Sequence, residues 1–139
     1  MNQDMVLIAE DDEELVQILK IRLEAAGYEV LTVSDGDQAL AMIQGKLPSL
    51  VILDVFLPEM DGLTILKRLK SPFDIATGEP SRTKDISVIV ITGKAPMIEN
   101  MTRLEGASDF FVKPFDVAKL VERVSQLIKL RHLDERARL

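Results

Sequence analysis

The sequence predicts an α/β protein with a doubly wound, parallel, five-stranded sheet and helices on both faces. Three observations carry that reading. Five short β-rich runs alternate with stretches of helical periodicity along the chain. Runs one, three and four are almost wholly apolar, as strands buried on both faces must be. The connections are short, and strict βα alternation with short links implies parallel strands joined by right-handed crossovers.

The first run is "MVLIAE" (5–10), and Leu15, Ile18, Leu19, Leu23 and Ala26 follow it at helical spacing until Gly27 supplies a stop. "YEVLTV" (28–33) is interrupted by Glu29 and Thr32, which predicts a strand near a sheet edge. A shorter helix is expected over 36–45, ending at Gly45. "LVILDV" (50–55) is the third strand. A helix starting near Gly62 puts Leu63, Leu66 and Leu69 on one face. "SVIVIT" (87–92) is the fourth strand, and Met97, Ile98, Met101 and Leu104 mark the fourth helix. "DFFVKP" (109–114) is the fifth strand, and Val117, Leu120, Val121, Val124, Leu127 and Ile128 set the fifth helix.

Composition narrows the function. At 139 residues, 47% apolar and 29% charged, the chain is one globular domain with room for a core. No apolar stretch approaches the ~20 residues needed to span a bilayer, and "MNQDMV" lacks the regions of a signal peptide. With no cysteine there is no disulfide, thiol nucleophile or zinc–thiolate site, which suits a reducing cytoplasm. One histidine excludes a His₂ or His₃ metal centre. A formal charge of −6 argues against nucleic-acid binding by this chain.

In a parallel α/β sheet, ligands sit beyond the carboxyl ends of the strands. Strand one ends in Glu10, Asp11 and Asp12, strand three at Asp54, strand four at Thr92 and strand five at Lys113. The acids of "EDDEE" (10–14) also suit a helix N-terminus, and Asp12 fits either the cluster or an N-cap. Crowded carboxylates repel one another unless a cation neutralises them, and oxygen-only ligands point to a hard ion, Mg²⁺ above all. A carboxylate nucleophile, a metal and two polar donors have the character of a phosphoryl-transfer site.

Four motifs in order, "LIAEDD", "LDVFLPEMDG", "VIVITGKA" and "GASDFFVKPF", resemble the receiver domain of bacterial two-component response regulators, over residues 4–128. That resemblance implies a flavodoxin-like sheet in the order 2-1-3-4-5. By it, Asp54 is similar to the phosphoacceptor. Asp11 resembles the direct Mg²⁺ ligand, with Glu10 acting through water and the backbone carbonyl of Phe56 as a further contact. Thr92 resembles the switch hydroxyl and Lys113 the ammonium that pairs with the phosphoryl group, followed by a cis peptide to Pro114. Phe110 stands at the aromatic switch position, where tyrosine is commoner.

The resemblance implies a domain that takes a phosphoryl group from a sensor histidine kinase or histidine phosphotransfer protein and shifts its α4-β5-α5 face toward an output domain, a downstream protein or a second copy. It implies no turnover beyond self-catalysed transfer and slow loss of the phosphoryl group. Two rivals stand beside it. A receiver fold could dock partners without taking phosphate. An aspartate-nucleophile phosphatase would want a general acid two residues past Asp54, where Phe56 stands. A flavin or nucleotide fold would need a glycine-rich phosphate loop after strand one, and "AEDDEE" stands there instead.

Two stretches depart from the pattern. "SPFDIATGEPSRTKD" (71–85) is long for its connection, and reads as a surface insertion or a partner contact on the face opposite the chemistry. The tail "IKLRHLDERARL" has no glycine or proline stop, so the fifth helix is expected to run for roughly 22 residues, ~33 Å. Residues 129–139 are expected to form a helical extension, and Leu127 just before it, with Leu130 and Leu133 within it, then have no domain surface to cover, suiting a coiled coil, a dimer contact or a following domain. His132 on it is expected to be solvated.

Overall fold

The computed structural model describes residues 3–93 and 97–139, with the side chain of Met97 also outside the description. Five strands, β1 (Met5–Ala9), β2 (Glu29–Val33), β3 (Leu50–Asp54), β4 (Ser87–Thr92) and β5 (Asp109–Val112), form one parallel sheet in the order 2-1-3-4-5. Helices α1 (Glu13–Ala25), α2 (Gly36–Lys46), α3 (Gly62–Lys70), α4 (Met97–Leu104) and α5 (Val117–Ala137) connect and follow them.

Alternation along the strands divides the core in two. Leu7, Ala9, Val51 and Leu53 point to the side of α2 and α3, while Val6, Ile8, Leu50 and Ile52 point to α1 and α5. Both sets are apolar because both faces are covered. β2 lies at an edge, with Glu29 and Thr32 exposed, as the polar interruptions predict.

Local chemistry sets the helix ends. Asp12 is the N-cap of α1, its carboxylate accepting from the N–H groups of Glu14 and Leu15 at 3.1 and 3.3 Å. Asp35, Asp61 and Asp116 cap α2, α3 and α5 in the same way. Gly27 takes φ 98° after α1, but α2 runs past Gly45 and its left-handed cap is Leu47, at φ 48°.

Three sequence expectations need correction. Helix α4 does not bury Met101 and Leu104, which are 41% and 88% exposed. Its inward line is Ile98 with Thr102, whose hydroxyl donates to Glu99 O at 2.9 Å and is thereby satisfied inside the protein. In α1, Leu19 and Leu23 are buried while Ile18 and Ile21 face outward. In α5, Leu127 is buried against the sheet, whereas Leu130 and Leu133 are exposed as expected. His132 is exposed as expected, with its Nε2 2.9 Å from Asp4 Oδ2, and Arg131 donates to Asp85 O at 3.1 Å, so this stretch of α5 is tied to the domain.

The 71–85 segment precedes β4 and so lies at the end of the sheet away from the carboxyl tips. Its order comes from its own polar groups. Asp74 accepts from the N–H groups of Ala76 and Thr77, Phe73 bridges Pro80, and the buried Thr83 hydroxyl donates to Leu69 O. No helix among the described residues is long and apolar enough to cross a membrane.

Candidate functional site

Parallel pairing in register brings the carboxyl ends of β1, β3, β4 and β5 to one rim. Asp54 pairs with Ile91, so Thr92 stands one residue further along the neighbouring strand. Asp54 is 4% exposed, with Oδ1 accepting from Phe56 N at 3.0 Å and Oδ2 from Lys113 Nζ at 3.2 Å. Glu10, just past the end of β1, is also buried. Its Oε2 accepts from the N–H groups of Asp11 and Asp12 at 2.8 and 3.1 Å, and its Oε1 accepts from Lys113 Nζ. Lys113 thus bridges both buried acids.

Asp11 is exposed, and one oxygen from each of Glu10, Asp11 and Asp54 lies within 4.8 Å of the others. Three carboxylate oxygens with no nitrogen or sulfur donor fit a Mg²⁺ site. The electrostatics agree. Burial pushes the Glu10 carboxyl up to about 7 despite Lys113 and the Asp12 N–H, and Asp54 adds to the rise. Burial alone would lower the Lys113 ammonium, but Glu10 and Asp54 outweigh it and hold it above the usual lysine range. Three carboxylates against the single Lys113 ammonium leave the cluster two positive charges short, and a divalent cation would supply them.

Thr92 is fully buried, and its carbonyl accepts from Lys113 N at 2.7 Å. The Lys113–Pro114 peptide bond is cis. The Phe110 ring is 8% exposed, packed on the α4 side of the core with Ile98 and Ala107. Phe56 is 49% exposed, its N–H aimed at Asp54. All the predicted site residues except Phe110 therefore gather at the rim, and Phe110 lies inward.

A profile of the response regulator receiver domain family matches residues 6–125. The chain belongs to that family. Relatives of this receiver domain include response regulator PleD of Caulobacter vibrioides, 39% identical over 127 residues, 91% of this chain and 26% of PleD. The alkaline phosphatase synthesis transcriptional regulatory protein PhoP of Bacillus subtilis is 31% identical over 125 residues, 89% of this chain and 48% of PhoP. The chain spans about half the length of most curated relatives it matches. Among solved structures, the Francisella response regulator 1452 receiver domain superposes with a TM-score of 0.81 at 25% identity, covering 93% of this chain and 99% of that one. Chemotaxis response regulator CheY4 of Vibrio cholerae gives 0.76 at 27% identity, covering 91% and 99%.

Two features of the receiver domain's rim escape sequence reading. Gly36 at the start of α2 touches the β3–α3 loop, its N–H donating to Pro58 O at 2.8 Å. A hollow of about 380 Å³ lined by Leu15, Ile18, Pro114 and Phe115 adjoins Lys113. The helical spacing that assigns Ile18 to the core is the same signal that an exposed apolar rim would give.

Proposed function

We propose that this receiver domain is a phosphoacceptor switch in which an Asp54 oxygen attacks the phosphorus of a phosphohistidine on a sensor histidine kinase or histidine phosphotransfer protein. The Asp54 O–P bond forms as the partner's N–P bond breaks, and the imidazole leaves with the electron pair. The observation that carries this reading is Asp54 held 3.2 Å from Lys113, with the Glu10 and Asp11 oxygens alongside.

Glu10, Asp11 and Asp54, with the Phe56 carbonyl, would hold Mg²⁺, which supplies charge neutralisation for the phosphoryl oxygens. Lys113 then exchanges its bond to the Asp54 carboxylate for one to a phosphoryl oxygen. The Thr92 hydroxyl donates to another. The added charge of about −1.5 to −2 biases two packings of α4, β5 and α5, with Phe110 as the moving part, and does not create a new fold. The inward Phe110 already occupies the buried packing, which the added charge would favour.

The hollow beside Lys113, with Ile18 and Ile21 exposed on α1, suits the partner's approach to Asp54. The exposed Met101, Leu104 and Val112 suit a readout surface for an output domain, a downstream protein or a second copy. Turnover is limited to self-transfer and slow hydrolysis, in the cytoplasm.

Incubation with acetyl phosphate and Mg²⁺, followed by intact mass, tests the reading. The expected result is a gain of one phosphoryl group (~80 Da), absent in Asp54→Ala and with EDTA. No gain under these conditions would leave a docking module. Sustained turnover of a generic phosphate ester would favour a phosphatase.

A further inference from the structure

We infer that a hollow between α2, α3 and the 71–85 segment binds a small phosphate dianion, free or as the monoester of a short alcohol, with Arg68 and Arg82 as its cations. The hollow lies at the end of the sheet away from Asp54 and takes no part in phosphoryl transfer to it.

The hollow has a volume of about 200 Å³, below the ~300–1,000 Å³ that holds a drug-sized ligand, so its occupant is small. Arg68, half-buried on α3, and Arg82, exposed on the segment, both line it. Arg103, Arg123, Arg131 and Arg138 each reach a carboxylate at 2.8 to 3.3 Å. Among the described residues, Arg68 and Arg82 make neither an ion pair nor a hydrogen bond. From 67 to 84, five lysines and arginines stand against two acids, in a chain whose formal charge is −6. The two guanidinium groups therefore share a locally positive field that an anion would neutralise.

The walls are fixed before any ligand arrives. Asp74 N donates to Glu79 O at 2.8 Å, Ser81 N to Pro72 O at 2.9 Å, and the buried Thr83 hydroxyl to Leu69 O at 2.9 Å. Such preorganisation lowers the ordering cost of binding. Thr77 Oγ1 accepts from Glu79 N at 3.2 Å, which leaves its hydroxyl proton to donate elsewhere. The Gln44 amide, also without a bond among the described residues, adds N–H donors to the lining. Of the lining acids, Asp74 uses Oδ1 to accept from the N–H groups of Ala76 and Thr77, leaving Glu79 as the main opponent of an anion. Each guanidinium presents a planar fork that matches two oxygens of one anion. Two forks on separate elements suit the tetrahedral oxygens of a phosphate better than a carboxylate, which one fork saturates. Ile75 and Pro80 give an ester's carbon stem an apolar wall.

Amide NMR titrations of the whole chain in EDTA, at constant ionic strength, test the site with inorganic phosphate and glycerol 3-phosphate. At about pH 7.5 both are mostly dianions. Saturable shifts at Gln44, Thr77 and Arg82 are expected, and the same affinity in Asp54→Ala. Arg68→Ala and Arg82→Ala should each weaken binding about tenfold or more, as loss of a charge-assisted bond does, while Glu79→Gln should tighten it several-fold. Lys84→Ala removes a neighbouring charge outside the lining and should change affinity less than about twofold. Tighter binding of glycerol 3-phosphate than of inorganic phosphate assigns the ester; equal or weaker binding assigns the free ion. Linear shifts that chloride reproduces overturn the inference. So does acetate binding as tightly as phosphate, or Lys84→Ala weakening binding as much as Arg82→Ala. Circular dichroism checks that these variants stay folded.

Discussion

Replacing Gly36 by alanine tests how the β3–α3 loop is held against the rim. A Cβ at this position would meet Met60 O at 1.9 Å and the Met60 carbonyl carbon and Cβ at 2.6 Å. Backbone cannot yield as a flexible side chain would, so the loop has to open by about 1 Å to reach even a tight 3.0 Å contact. Such overpacking costs about 1–3 kcal/mol, and loss of the Gly36 N–H to Pro58 bond about 1 kcal/mol more. At roughly 3 °C per kcal/mol for a domain of this size, Tm falls by roughly 6–12 °C. Gly45, in the same helix, has nothing within 4 Å of its would-be Cβ. Gly45→Ala should therefore gain about 0.5–1 kcal/mol from helix propensity. The displaced loop carries Phe56, so phosphorylation of Gly36→Ala by acetyl phosphate should slow about tenfold or more. Thermal melts and time-resolved intact mass read both effects. A Gly36→Ala protein melting with the wild type, or a Gly45→Ala protein that falls as far, refutes the contact argument.

Lys113→Ala leaves Glu10 and Asp54 buried side by side without their shared cation. Because Lys113 is partly exposed, the loss should be about 1–3 kcal/mol, larger at pH 8 than at pH 5, where Glu10, raised to about 7 by burial, takes up a proton; denaturant melts at the two pH values check the sign. Phe56→Asn should hasten loss of the phosphoryl group by opening the approach to Asp54, and an unchanged decay of the phosphorylated mass would end that idea. The hydrogen bond and charge of Asp4 raise the His132 imidazole above its usual 6.5. A raised folded value means this contact stabilises fully below 6.5 and is lost as pH rises through the folded value. An NMR titration should show the rise, and Asp4→Asn should bring His132 back toward 6.5.

Much of the fold was legible because its determinants are local. Apolar runs of strand length and helical spacing between them are properties of neighbouring residues, and together they specify a parallel sheet with covered faces. The same topology forces residues at strand ends to one rim, which is why Glu10, Asp11, Asp54, Thr92 and Lys113 could be named from the chain alone. Strand limits were less legible: Glu10 and Lys113 lie just outside their strands, because the chain turns there to make the bonds that build the site.

What tertiary structure alone decided depends on residues far apart in order. Lys113 meets Glu10 across 103 positions and His132 meets Asp4 across 128. The burial that lifts the Glu10 carboxyl to about 7 exists only once the neighbouring strands and loops close over it. The phase of α4, with Thr102 inward and Leu104 outward, answers to the sheet beneath and not to its own apolar count. Gly36 is required by the carbonyl of Met60, which no spacing in the sequence announces. Periodicity determines which elements form and which ends they share; the packed interior decides rotation, protonation and pairing, because those energies come from neighbours the chain order does not reveal.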